Sequence, residues 1–257
     1  MLLPFACDQT GINRQQSIRR NSERTQIEKT RQNQTISFSS FENFVMINNK
    51  QRRKEAKEMK TELFLREKDD RSLLVVVDMI NGFIHTGALA DPKIDHIIPA
   101  VVETVNAYLK HDFPVLAFRD CHNESAKEFS SFPPHCLKDS EESELIDELK
   151  PYADQFIILD KNSTNGFVQP EFLEVFQQMT DLRSVMIVGC CTDICVLQFA
   201  LSLKGYINQN DLGIEVIVPK NQVATFDAPG HSAKDYGHWA LKLMANAGIH
   251  VVNNEEE

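Results

Sequence analysis

From Leu73 onward, short uninterrupted apolar runs alternate with stretches whose apolar residues recur every three or four positions. No other feature of the chain constrains its fold as strongly. Leu73 to Val77, Pro114 to Phe118, Phe156 to Leu159, Val185 to Val188, Ile214 to Val218 and Ile249 to Val252 are too short for helices. They are also too continuous for strands with one wet face, so they read as strands covered on both sides. Between them, Ile94, Ile97, Ile98, Val101, Val105 and Leu109 share one helical face. Ser143 to Lys150, Glu171 to Met179, the segment after Cys195, and Ser232 to Ala247 read as further helices. This alternation predicts a three-layer α/β/α domain, Rossmann-like, around a central, mainly parallel sheet of about six strands.

Sheets of this kind bind ligands beyond the carboxyl ends of their strands. The polar residues that fall there are Asp78, Asp120, Lys161 and the stretch Val188-Gly-Cys-Cys-Thr-Asp-Ile-Cys-Val196. Thr192 or Asp193 can cap the helix that follows, which places Cys195 in its first turn. Backbone N–H groups and the helix dipole favour a negative sulfur at that position. Taken singly, each residue has an ordinary reading: a buried free cysteine, a capping aspartate, a solvated lysine. Together, Asp78, Lys161 and Cys195 bring a carboxylate that can take a thiol proton, an ammonium that supports the thiolate, and the thiol itself to one edge.

The loop after the second strand carries another set. Asp120 and His122 stand two apart, on the same side of an extended segment, and Glu128 and His135 follow. An Asp, a Glu and two His form a nitrogen and oxygen donor set suited to zinc or another first-row divalent ion, with room for water or substrate. Cys121 alternates to the opposite side and is left out of this set. His231 and His238, seven apart at the last helix, read as surface residues.

Composition narrows the classes further. The chain is 42% hydrophobic and has no apolar run of membrane-spanning length, so a membrane partner is not expected. Residues 1–60 hold 12 Lys/Arg against 6 Asp/Glu, a net +6, while residues 61–257 hold 15 against 31, a net −16. An acidic main domain argues against nucleic-acid binding. Residues 1–60, rich in Gln, Asn, Ser and Arg, read as a disordered or non-conserved N-terminal extension with a weak helix over Lys50 to Lys60. A targeting leader, or sequence ahead of a start at Met46 or Met59, fits them as well. The 6 cysteines show no small-domain disulfide spacing, and the apolar start lacks a basic leader, so a cytoplasmic setting is expected.

Five segments together, V-V-V-D-M-I-N-G-F, F-R-D-C-H, F-P-P-H-C, L-D-K-N-S-T and G-C-C-T-D-I-C-V, resemble the isochorismatase-like cysteine hydrolases. The D-x-H…E…F-P-P-H loop makes the chain most similar to the nicotinamidase (pyrazinamidase-type) branch. The resemblance spans Leu73 to Val252 and gives residues 61–257 as the hydrolase domain. It implies Asp78 as general base and acid, Lys161 as its electrostatic partner and Cys195 as nucleophile. It further implies an oxyanion hole from the backbone N–H groups of Cys191 and Cys195, and a cis peptide between Cys190 and Cys191. Phe83 and Phe132 would flank a substrate ring, although core packing explains them equally. Asp120, His122, Glu128 and His135 would hold a divalent metal, zinc first, with manganese or iron as alternatives.

The implied reaction is nicotinamide to nicotinate and ammonia in NAD salvage, on a homo-oligomer whose partner is a small amide. The alternatives are hydrolysis of a carbamoyl or ureido amide, isochorismatase activity, or a non-catalytic binding protein of the same fold. Two features depart from the nicotinamidase pattern: Cys121 replaces an aromatic, and from His135 the chain reads H-C-L-K-D-S where the pattern runs to a Gly-Thr pair.

Overall fold

A computed structural model describes residues 71–253. The N-terminal extension, the helix over Lys50 to Lys60 and the domain boundary near residue 61 lie outside the described residues. Six of the seven strands arise from the six apolar runs: β1 (Ser72–Val77), β2 (Val115–Asp120), β3 (Ile157–Lys161), β4 (Ser184–Cys190), β5 (Glu215–Pro219) and β7 (His250–Val252). The two-residue β6 (Val223–Ala224) pairs with β4 and has no counterpart in the sequence pattern. The sheet runs β3-β2-β1-β4-β5-β7, with every neighbouring pair parallel.

Among the described residues five helices complete the layers: α1 (Asn81–Ile84), α2 (Ile98–Lys110), α3 (Phe172–Gln178), α4 (Leu197–Gln209) and α5 (Ala233–Asn246). Alternation along β1 feeds two cores. Leu74 and Val76 pack with Ile97, Val101, Val105 and Tyr108 on one face. Leu73, Val75 and Val77 pack with Phe172, Phe199, Leu203 and Met244 on the other. Every residue of β1 and β4 is buried, as their continuous apolar sequences require. Each such aliphatic side chain contributes about 1.5–3 kcal/mol on burial. Among the described residues no helix is long and apolar enough to cross a membrane.

Three expectations are corrected. Ser143 to Lys150 is not a helix: its backbone is engaged with the segment after β1, where Leu145 bridges Ile80 and the Ile146 N–H donates to the Met79 carbonyl at 3.1 Å. Only short 3₁₀ turns flank it, Glu141–Ser143 and Lys150–Gln155. The helix expected from Ile94 begins as a separate 3₁₀ segment, Pro92–Ile97, whose first turn is capped by Asp91. Finally, neither Thr192 nor Asp193 caps the segment after β4. Cys191 occupies the cap position, and Thr192–Val196 forms a π-helical turn that leads into α4.

The centre of the sheet is also where two strand ends come closest. Val77 is in register with Gly189. Gly189 has φ +112°, and a Cβ there would collide with the Val77 carbonyl. Glycine alone permits that approach. It sets Asp78, just beyond β1, beside the Cys190–Cys191 pair at the end of β4.

Candidate active site

Each polar candidate follows from a strand end. Asp120 and Lys161 are the last residues of β2 and β3 and stand in register. Asp78 directly follows β1, with φ 50°, a left-handed conformation rare for an aspartate. Its N–H is held by the Phe118 carbonyl at 3.1 Å. Cys195 lies in the π turn after β4. The peptide between Cys190 and Cys191 is cis.

These side chains meet in a buried cluster. Lys161 Nζ lies 2.9 Å from Asp78 Oδ2, 2.9 Å from Asp120 Oδ1 and 3.9 Å from Cys195 Sγ. Asp78, Asp120, Lys161 and Cys195 are all at most 4% exposed. Burial works against the Lys161 charge, but Asp120 and Asp78 outweigh it and hold the ammonium firmly protonated. Burial pushes the Asp78 carboxyl up to about 6, with Lys161 pulling the other way.

Cys195 lies under opposing influences. Burial raises its thiol well above the ordinary value; Lys161 draws it down, while Asp78 and Asp120 push it further up. Desolvation outweighs the ammonium and the helix terminus, so the resting sulfur is a thiol rather than a thiolate.

Next to this cluster, Asp120, His122, Glu128 and His135 converge, with ligand atoms all within 4.8 Å of one another. The loop beyond β2 folds back to make this happen. The His122 N–H donates to the Cys136 carbonyl and the Lys138 N–H to the His122 carbonyl, both at 2.8 Å. His122 Nδ1 meets Asn162 Oδ1 at 3.0 Å, and His135 Nδ1 meets the Pro133 carbonyl at 2.8 Å. Facing acceptors, both Nδ1 atoms carry their protons outward, which leaves the Nε2 atoms pointing inward.

There, His122 Nε2 and His135 Nε2 lie 3.0 and 3.2 Å from Asp120 Oδ2. Glu128 Oε1, 3.8 Å from His122 Nε2, is buried without a hydrogen-bond partner. Two imidazole nitrogens and two carboxylates thus converge, a donor set that a divalent cation satisfies. His122 registers the same demand for positive charge: burial opposes the imidazolium, yet the Asp120 hydrogen bond and charge raise it. Cys121 is half-buried outside this set, and Cys136 packs against Gly82 instead.

A cavity of about 220 Å³ opens onto both clusters, lined by Asp120, Glu128, His135, Cys191 and Cys195 among others. Phe83 and Phe132 both line it, with ring centroids 5.8 and 6.2 Å from that of His135. Pockets for drug-sized ligands span roughly 300–1,000 Å³, so this one suits a smaller molecule.

Several contributors were not singled out from the sequence. Asn162 orients His122, and the Thr164 N–H holds Glu128 Oε2 at 3.0 Å. Both sit in the N-S-T segment directly after Lys161, so proximity to that residue was the available signal. Phe226 is a further aromatic on the cavity wall. His231, expected at the surface, is instead stacked on Phe226 and bonded to Asp193.

The isochorismatase domain family matches residues 72–256, and the chain belongs to that family. It is 36% identical over 198 residues to Nicotinamidase 1 of Arabidopsis thaliana, a match covering 69% of this chain and 80% of that protein. Among solved structures, the pyrazinamidase of Pyrococcus horikoshii in complex with zinc superposes with a TM-score of 0.59 at 26% identity, covering 71% of this chain and 99% of the other. The N-carbamoylsarcosine amidase of Thermoplasma acidophilum gives 0.59 at 27% identity, covering 73% and 98%.

Proposed function

We propose that this protein hydrolyses a small ring amide through a thioester on Cys195, with nicotinamide, giving nicotinate and ammonia, as the particular substrate. The observation that carries this reading is the single buried ammonium of Lys161 shared by Asp78 and Asp120 and lying beside Cys195 Sγ.

Asp78, with its carboxyl at about 6, is ionised at neutral pH and accepts the Cys195 proton as the sulfur attacks the amide carbon. The carbonyl oxygen becomes an oxyanion beside the backbone N–H groups of Cys191 and Cys195. One donor of this kind is typically worth about 3 kcal/mol. Asp78 then passes its proton to the departing nitrogen, the C–N bond breaks, and ammonia leaves an acyl thioester. Asp78 next takes a proton from water as the water oxygen attacks the same carbon. The C–S bond breaks, and the proton returns to sulfur. Lys161, 2.9 Å from Asp78 Oδ2, favours the carboxylate form whenever Asp78 has to accept a proton.

Asp120, His122, Glu128 and His135 would hold a divalent cation, zinc first among candidates. Such an ion supplies a Lewis-acidic centre for a ring nitrogen. Phe83 and Phe132 would flank the ring. Likeness to the carbamoylsarcosine amidase favours a second reading, a carbamoyl amide, which shares the thiol chemistry but leaves the four converging donors without a task.

The test is release of ammonia and nicotinate from nicotinamide by zinc-loaded protein, chelator-stripped protein and a Cys195→Ala variant. Turnover lost in both controls supports the reading. Turnover of N-carbamoylsarcosine but not nicotinamide moves the assignment to the second.

A further inference from the structure

The cavity has a third aromatic wall that the reaction scheme leaves without a role. Phe226 lines it from the segment after β6, facing the mouth from a different element than Phe83 or Phe132. Its ring is held in an ordered stack. The His231 ring lies 4.0 Å from it at an interplanar angle of 3°, and Tyr236 lies 3.9 Å from His231 at 29°. Two rings this close to one imidazole must cover its opposite faces.

Both nitrogens of that imidazole are also engaged. Nδ1 meets the Phe226 carbonyl at 2.9 Å, and Nε2 meets Asp193 Oδ2 at 2.8 Å. Asp193 belongs to the Thr192–Val196 turn, two residues before Cys195. His231 therefore grips Phe226 by ring face and by backbone, and ties it to the turn that bears the sulfur.

The rest of the segment is anchored the same way. Ala228 and His231 exchange backbone hydrogen bonds of 2.9 Å. The Asp227 N–H donates to Asp91 Oδ2 at 2.9 Å, and Lys93 Nζ reaches Asp227 Oδ2 at 3.1 Å. A half-buried imidazole–carboxylate pair is a weak source of net stability, because desolvation offsets most of its attraction. What such a pair fixes well is position.

We propose that Phe226 is a specificity-determining wall of the substrate cavity, and that His231 is the positioning residue that holds it against the Cys195 turn through Asp193. The wall limits the cavity to a flat ring of about one-ring width. This rests on the small-ring amide reading above, and the experiment separates the two.

Two readouts are taken on zinc-loaded wild type, Phe226→Ala, His231→Ala, His231→Phe and Asp193→Asn. The first is steady-state kinetics with nicotinamide. KM should rise at least tenfold in Phe226→Ala and His231→Ala, with kcat within threefold. His231→Phe, which keeps the stack and loses the bond to Asp193, should fall between His231→Ala and wild type. The second readout needs no substrate: the alkylation rate of Cys195 by N-phenylmaleimide relative to iodoacetamide, read by peptide mass spectrometry. That ratio should rise at least fivefold in Phe226→Ala and His231→Ala, because the bulky reagent gains access and the small one never lacked it.

A Phe226→Ala ratio and KM within twofold of wild type overturn the wall. A response in Phe226→Ala with none in the His231 and Asp193 variants overturns the positioning role. Should His231→Ala fail to fold, His231→Phe and Asp193→Asn decide that second point. If wild type does not turn over nicotinamide, the proposed substrate fails, while the alkylation ratio still judges the wall.

Discussion

Two halves of one cavity are held in place by different means. The Asp78–Lys161–Cys195 half hangs from the ends of β1, β3 and β4, whose register fixes each position. The Asp120 loop half starts from a strand end too, but His122, Glu128 and His135 are placed by single hydrogen bonds to Asn162, Thr164 and the Pro133 carbonyl. The first half is buried except where Cys195 meets the cavity. The second gathers imidazole nitrogens and carboxylate oxygens in a set suited to a cation. A parallel sheet thus supplies rigid positions at its edge, and a loop supplies the more adaptable ones.

That contrast can be broken at either half. Replacing Cys195 by Ala should lower turnover at least about 10³-fold, as removal of a nucleophile does, with the unfolding midpoint in urea little changed. Retained turnover in that variant would remove sulfur from the mechanism. Lys161→Met should cost about 3–5 kcal/mol of stability by leaving Asp78 and Asp120 buried beside each other without a counter-charge. Adding Asp78→Asn to it should recover part of that loss, measured by urea unfolding of both variants.

In the loop half, the effects should be smaller and confined to the ion. Asn162→Ala frees the outer nitrogen of His122 and should weaken zinc affinity about 10- to 100-fold in chelator competition, without destabilising the sheet. The pH profile gives the smallest effect. Asp78 must be ionised to accept a proton, and its carboxyl sits at about 6. On the acid side kcat/KM should therefore fall about tenfold per pH unit below 6 and level off above it. A limb centred near 4 instead would mean that Asp78 is not the titrating base.

The half built from strand ends was legible in the sequence because its candidate residues lie at or shortly after the ends of apolar runs. Asp78 after Val77, Lys161 after Asp160 and Cys195 after β4 needed only the rule that ligands gather at the carboxyl edge. The donor spacing from Asp120 to His135 was readable as well. What failed was whatever depended on tertiary pairing or on the surroundings of a charge. Ser143 to Lys150 has helical spacing, but its backbone bonds to residues near Met79. The helix terminus and the lysine near Cys195 both favour a negative sulfur, and the depth of burial that opposes them is not written in the local sequence. His231 and Asp193 are 38 residues apart, and nothing local in either segment announces that they meet.

Sharing one ammonium between two carboxylates has a consequence for the proposed proton transfer from Cys195 to Asp78. Before the step, the cluster holds a neutral thiol, two carboxylates and one cation. Afterwards it holds a thiolate, one carboxylate, one carboxylic acid and the same cation. The charge count is unchanged, and a unit of negative charge has only moved from oxygen to sulfur beside the same ammonium. The interior therefore needs no counter-ion from outside to absorb the change. Burial raises the proton affinity of both donor and acceptor, so much of its penalty cancels between them, and in the proposed step the proton passes directly from sulfur to oxygen.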